Sequence, residues 1–384
     1  NKTHKIESRK DVLKMGVANY NDACRSIVKR YSNEWKTTVR RVGRWVDMEN
    51  PYFTMDVSFM QSVWWVFQQL FNKGLIYEGY RIVPYSWAVQ TPLSNFETRL
   101  DNSYRERTDP TLTVGFMLND NDKTGANTRL LAWTTTPWTL PSNMALCVNP
   151  ELTYVLLQKD DQRIIIAEAA RERYARELKD FEQQKEFKGS DLVGLTYTPL
   201  FPYFKDLEGA FRVFADSFVE ADSGTGTVHI APGFGEEDME LGKRNNIPIV
   251  VPVDEAGLFT PEITDYAGQN VILEANEKII QDLKKQGVVL KHDQILHSYP
   301  HCWRTDQPLI YKAVNSWYLA VTQFRDRMVE LNQDITWVPG HIKDGAFGNW
   351  LANARDWNIS RNRFWGAPIP VWRRDRKSVV EGKS

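Results

Sequence analysis

Cysteine is scarce in this chain. Three occur in 384 residues, Cys24, Cys147 and Cys302. They are far apart and odd in number, which argues against a disulfide framework and for a reducing compartment, so a cytoplasmic location is expected. No C-x-x-C pair is present, which excludes a Cys-rich zinc site. No apolar run reaches 18 residues, so no spanning helix and no membrane partner are expected. The opening NKTHKIESRK lacks the apolar stretch of a secretion signal. Neither sign of charge dominates: 48 Lys and Arg face 49 Asp and Glu, a net charge of -1. That balance removes a global nucleic-acid footprint and leaves any RNA contact to local patches. Hydrolase signatures are missing too, with no G-x-S-x-G elbow and no H-E-x-x-H. His297 and His301 stand four apart, but HSYPH contains Pro300, reads as a loop and has no acid between them, so no metal is expected there. The closing GKS is not a phosphate loop, because Lys377 stands where that motif needs glycine.

Aromatics, in contrast, are plentiful: 14 Trp, 18 Phe and 15 Tyr. Most read as core. The texture changes along the chain. Residues 10 to about 76 read as helical, with one stripe in DVLKMGVANYNDACRSIVKRY and a second in MDVSFMQSVWWVFQQLFNKGLIY that closes near Gly74. YRIVPYS reads as a strand, and Asn95 to Pro110 as a polar crossing linker. From about 111 to 295 short strands dominate: TLTVGFML, TRLLAW, TYVLLQ, RIIIAE, FRVFA, TVHIA and IPIVVPV. Two helices interrupt them, AEAARERYARELKDF and EANEKIIQDLKKQG. After about 296 a strand, SWYLAV, and a helix, FRDRMVELN, lead into GNWLANARDWNISRNRFWGAPIPVW. The expected organisation is one α/β domain interrupted by a β-rich insertion: residues 1–104 lead in, 105–295 form the insertion, and 296–374 return to the first domain. Residues 375–384 break the pattern and read as a non-native tail.

Two stretches concentrate chemistry. LAWTTTPWTLPSN places Thr134, Thr135, Thr136 and Thr139 around Pro137, Trp138 and Pro141. Prolines at those positions argue against a helix interior and for a rigid, hydroxyl-lined turn. GTGTVHIAPGFGEED follows about ninety residues later. Gly224 and Gly226 allow close backbone approach, TVHIA reads as a strand with Thr227 and His229 on one face, and Asp238 falls in, or caps, the first turn of the next helix. Each has a bland reading: Asp238 as a helix N-terminal carboxylate, His229 as a hydrogen-bonded strand histidine.

Together, TTTPWTLPSNMALCVNP and GTGTVHIAPGFGEED resemble the paired elements of the editing domain of the isoleucyl-tRNA synthetases, class I aminoacyl-tRNA synthetases whose Rossmann-type catalytic fold is split by such an insertion. Valyl and leucyl relatives carry a TTRP-type stretch where this chain has Thr136-Pro137-Trp138, and lack histidine at the position of His229. SNEWKTTVRRVGRWVDMENPY, SVWWVFQQLFNKGLIYEGYRIVPYS, HSYPHCWRTDQPLIYKAVNSWYL and ARDWNISRNRFWGAPIPVW extend the resemblance over about residues 8 to 374, with the flavour of the family's eukaryotic-like branch.

The resemblance implies an incomplete catalytic domain, since the family's two ATP-phosphate motifs, HIGH and KMSKS, and its anticodon-binding domain are absent from the chain. It implies ATP and Mg2+ for the full-length enzyme, none for editing, and isoleucine and the tRNA(Ile) acceptor end as partners of a monomer. Where some members bind zinc through two C-x-x-C pairs this chain reads SWAVQ and CWRT, so no zinc is expected. Editing hydrolyses misattached valine, because a missing methylene is worth only about 1–3 kcal/mol, a magnitude established on this very family rather than on the present chain. By resemblance, Asp238 pairs with the α-ammonium and His229 walls out isoleucine. The four threonines hold the carbonyl, ribose or water, Trp138 borders the terminal adenine, and Asn143 adds a polar contact. Trp357, Arg361 and Trp365, beside Ser360, face the synthetic site, with core packing as the alternative.

Overall fold

In the helical half of the sequence, DVLKMGVANYNDACRSIVKRY gives two helices rather than one, Arg9–Met15 and Val17–Arg41, divided at Gly16. The second stripe forms the helix Val57–Asn72, and the N–H of Gly74 closes it on the carbonyl of Phe71 at 2.9 Å. Residues 43–56 are not helical, which corrects the continuous helical reading. The Asp47 carboxylate there accepts the N–H groups of Glu49 and Asn50, a local turn that competes with helical bonding.

The computed structural model describes residue 6 and residues 9–94, 97–374 and 378–379. Of the expected non-native tail only Ser378 and Val379 are among them, paired with Arg373–Arg374; the rest lies outside the described residues, as do Asn95 and Phe96 of the expected linker. The chain forms two compact units, one from residues 1–80 with 315–384 and one from 81–314. The expected 105–295 insertion lies inside the second. Strand β1 (Ile76–Ser86) leads out of the first unit and a later strand, Ile310–Leu319, leads back. The first unit also holds the helices Arg325–Gln333 and Ala346–Ala352.

The second unit is mixed α/β with two main sheets. After β2 (Thr91–Pro92) come β3 (Tyr104–Met117), β4 (Thr128–Thr134), β5 (Ala145–Val148), β6 (Thr153–Lys159), β7 (Gln162–Ala167), β8 (Glu182–Lys188), β9 (Arg212–Ala215), β10 (Thr227–Ile230) and β11 (Val289–Pro300). One sheet runs β11-β3-β4-β7-β6-β8 and the other β10-β5-β9. Pairing is antiparallel except for β4 with β7 and β5 with β9. The apolar runs of β4, β5, β6 and β7 are buried along most of their length, as expected of strands covered on both faces. They feed one continuous core that includes Leu112, Leu130, Leu146, Leu157, Ile165 and Ile230.

Four sequence expectations change here. The 95–110 linker runs as strand from Tyr104 onward, after a 3-10 turn at Glu97–Arg99, and HSYPH is strand rather than loop: β3 and β11 pair in register from Asp109–Ile295 to Tyr104–Pro300. In AEAARERYARELKDF the apolar spacing holds, with Ala170, Tyr174 and Leu178 buried, but the backbone tightens into a 3-10 helix at Glu168–Tyr174 followed by turns. IPIVVPV forms no strand beyond an isolated bridge between Val253 and Phe259, because Pro248 and Pro252 bring no N–H to a ladder. β5, β8 and β11 carried no clear strand signal of their own. No helix among the described residues is long and apolar enough to cross a membrane.

Candidate functional site

Pro137–Ser142 form a short 3-10 helix, with Pro137 at its first position. The prolines that argued against a helix interior are accommodated because the element is only two successive tight turns, closed by Thr139 N–H to Thr136 O at 2.9 Å and Asn143 N–H to Leu140 O at 3.1 Å. The turn brings three of the four threonines into one hydrogen-bonded row. Thr134 and Thr136 Oγ1 lie 3.3 Å apart, as do Thr136 and Thr139 Oγ1. The Thr136 N–H donates to Thr134 Oγ1 at 3.1 Å. Thr139 Oγ1 stands 2.8 Å from the Thr136 carbonyl and 3.0 Å from Nε2 of His229. A carbonyl can only accept, so the Thr139 proton goes there and His229 Nε2 donates to Thr139. His229 is therefore the Nε2–H tautomer, and its buried Nδ1 has no hydrogen-bond partner. Burial lowers its pKa to about 4, which keeps the imidazole neutral at physiological pH.

β10 pairs with β5, setting His229 opposite Leu146, and the chain then turns at Pro232–Gly235 into the helix Glu236–Asn245. Asp238 lies in that helix's first turn, and its Oδ2 accepts the N–H of Ala231 at 2.8 Å. Burial raises its pKa to about 6; the Ala231 bond opposes that rise and Glu237 adds to it. Gly224 and Gly226 sit at φ +67 and +75, and a Cβ on Gly226 would come within 2.4 Å of the Ala167 Cβ, so only glycine fits this approach.

These elements enclose a pocket of about 350 Å³. Thr134, Thr135, Thr136, Thr139, His229 and Asp238 all line it. Thr227, expected on the same strand face as His229, lines it too, and its wall also carries Trp133, Phe218, Glu220 and Ser223, which the sequence reading did not single out; only Gly224 and Gly226 marked that loop. The lining has two carboxylates and no lysine or arginine, so it favours a cationic group. The carboxylate of Asp238, partly buried beside that space, is the obvious partner for one.

Two expected contacts lie elsewhere. Trp138 is 3% exposed and packs edge-on to Phe234 at 5.0 Å, a core position rather than a ligand-facing one. Asn143 is buried, donating to Ala145 O and accepting from Tyr197 OH, so it braces the turn from behind. Trp357 and Arg361 are exposed and Trp365 is half-buried, all in the first unit; Arg361 donates to the carbonyls of Asn358 and Ser360. Among the described residues no group of three His, Cys, Asp or Glu could hold a metal. His297 Nε2 is instead 2.8 Å from Asp109 Oδ2 across the β3–β11 ribbon. Cys302 is buried with Leu93 and Leu309, and hydrogen bonds from Ser86 and Thr305 hold its thiol pKa down against burial.

An inserted β-rich unit with this pocket, between two chain segments that form another unit, fits the class of enzyme the motifs suggested. The family model for class I tRNA synthetases (I, L, M and V) matches residues 1–383, and the chain belongs to that family. Among individual proteins, it is 58% identical to the isoleucine–tRNA ligase of Bdellovibrio bacteriovorus, over 99% of this chain and 36% of that one. It is 54% identical to the isoleucine–tRNA ligase of Rickettsia canadensis, over 96% of this chain and 35% of the relative. The chain thus spans about a third of the length of the curated relatives it matches. Solved structures with weaker likeness include the GlLeuRS-CP1 crystal structure (18% identity, TM-score 0.39, covering 48% of this chain and 99% of that one). The P. knowlesi cytosolic leucyl-tRNA synthetase editing domain is another (12%, TM-score 0.36, 50% and 97%).

Proposed function

We propose that this chain is the editing region of an isoleucine–tRNA ligase, and that its pocket hydrolyses the ester of valine misattached to tRNA(Ile). The observation that carries the reading is Asp238, a partly buried carboxylate on a pocket whose lining holds no lysine or arginine. An aminoacyl ester presents one cation, its α-ammonium, and no free carboxylate. A charge-assisted bond to Asp238 would fix the ammonium and draw the carboxyl group to its ionised form. His229, neutral and held by Thr139, serves as a rigid wall for the side chain. Thr134, Thr135, Thr136 and Thr139 supply oxygens for the attacking water or the terminal ribose. With no strong base beside them, rate comes from positioning rather than from a triad. Trp138 and Asn143 hold the turn in place. Trp357, Arg361 and Trp365 belong to the synthetic half, where the whole enzyme would join isoleucine to tRNA with ATP and Mg2+. Editing calls for no metal, and the protein is proposed to act as a cytoplasmic monomer.

The test is deacylation of valyl-tRNA(Ile) and isoleucyl-tRNA(Ile) by this chain. Valyl ester is expected to be cleaved and isoleucyl ester spared, with Asp238→Ala slowed about a hundredfold. Equal rates on the two esters, or full activity in Asp238→Ala, would sink the assignment. Binding of the acceptor end without cleavage would make the region an RNA grip instead.

A further inference from the structure

The segment 218–226 forms one wall of the pocket, carrying Phe218, Glu220, Ser223 and Gly224. It has no regular secondary structure of its own, so its shape depends on what ties its outer side. Four ties join it to the core. Asn149 Nδ2 donates to Val219 O at 2.8 Å, Tyr154 OH donates to Gly226 O, Ala167 N–H donates to Thr225 O at 3.0 Å, and Thr225 Oγ1 donates to Leu131 O at 2.8 Å. The stretch between them, Ala221 to Gly224, is held by one exposed side chain. Arg173, in the 3-10 helix Glu168–Tyr174, donates through Nη2 to the carbonyls of both Ala221 and Gly224, the latter at 3.1 Å. One guanidinium nitrogen thus bridges the two ends of the short turn that holds Ser223.

We infer that Arg173 is a positioning residue for the pocket: by bridging Ala221 and Gly224 it sets the wall on which Glu220 and Ser223 meet the substrate. Arg173 does not line the pocket, so its effect passes through the loop. The inference rests on the hydrolytic reading above. Ground-state contact with the wall is what a loosened turn loses first, so the change falls on KM more than on kcat. A guanidinium suits the task because its planar donors are fixed in direction, whereas an ammonium is a point charge.

The test compares the wild-type chain with Arg173→Ala and Arg173→Lys, by valyl-tRNA(Ile) deacylation and by hydrogen exchange at residues 222–226. Arg173→Ala is expected to raise KM about tenfold with kcat nearly kept and to speed exchange in that loop alone. Arg173→Lys should recover part of the loss, and added guanidinium at low millimolar concentration should restore KM in Arg173→Ala. Unchanged exchange in the loop overturns the bridge. Faster exchange with unchanged KM overturns the positioning role and leaves the bridge a stability feature. A wild-type chain that cleaves no ester overturns the hydrolytic reading and the positioning role with it, whereas an active wild type with an unaffected variant overturns this inference alone.

Discussion

The two units bury their apolar residues in different ways. Among the described residues, the unit from 81–314 contains all three buried apolar clusters, including the large one that runs from Tyr85 to Ile310. In the other unit, the 25-residue helix Val17–Arg41 and the helix Val57–Asn72 have no buried residue at all. Trp45 is 96% exposed there, and Trp65, Trp350 and Trp357 are more than half exposed. Apolar patterning is present in both sequences; what differs is how much of it is buried within the chain. Amphipathic helices take most of their stability from packing rather than from propensity, so the first unit gains less from its own pattern.

That contrast can be broken by experiment. The largest effect is expected from truncating the core: Ile165→Ala, at a fully buried position, should cost about 2–5 kcal/mol in denaturant unfolding, whereas Leu13→Ala, 55% exposed, should stay within about 0.5 kcal/mol. Comparable costs would mean that the two units share their stability. Next, Asp238→Ala should lower valyl-tRNA(Ile) deacylation by about a hundredfold while leaving unfolding little changed, as measured by single-turnover kinetics.

A subtler test uses pH. Asp238 has its folded pKa raised from 3.8 to about 6, so the folded state binds the extra proton across that window and stability falls as pH rises through it. His229 has its folded pKa lowered from 6.5 to about 4, so the unfolded state binds the extra proton there and stability rises with pH. The two slopes oppose each other between about pH 4 and 6. Relative to the wild type, stability should therefore climb more steeply with pH across that window in Asp238→Asn and less steeply in His229→Gln. Parallel profiles in all three would contradict the burial of both groups. The smallest effect is expected from Trp357→Ala and Arg361→Ala, which should leave deacylation within about twofold, since both lie in the unit without the pocket.

Much of the site was legible because its chemistry is local. Three threonines in a row beside two prolines can hardly be anything but a polar turn, and Gly224 and Gly226 announce a tight approach. What escaped was orientation. Sequence could not say which side of a short 3-10 helix faces the pocket, so Trp138 and Asn143, which brace it from the core, looked as exposed to substrate as Thr136. The bond between Thr139 and His229 joins residues ninety apart and follows from the pairing of β10 with β5. Glu220 and Ser223 went unread because nothing in their spacing marks a wall. The fold shows the same division. Buried strands such as RIIIAE declare themselves by composition, while the β3–β11 ribbon, rich in charge, is fixed by cross-strand partners such as Asp109 and His297.

The threonine row has a direction. With the proton of Thr139 committed to a carbonyl and that of His229 Nε2 committed to Thr139, the hydroxyls of Thr134 and Thr136 are left to point along the row toward Thr139. What stays uncommitted on this wall is lone-pair capacity. A water or a ribose hydroxyl entering the pocket is met by acceptors and is welcomed as a donor. A negative charge developing on the ester carbonyl would find no proton offered by Thr134, Thr136 or Thr139 unless the row reversed, so its stabilisation falls to the hydroxyl of Thr135, which lines the same pocket outside the row, to the opposite side of the pocket or to the substrate itself.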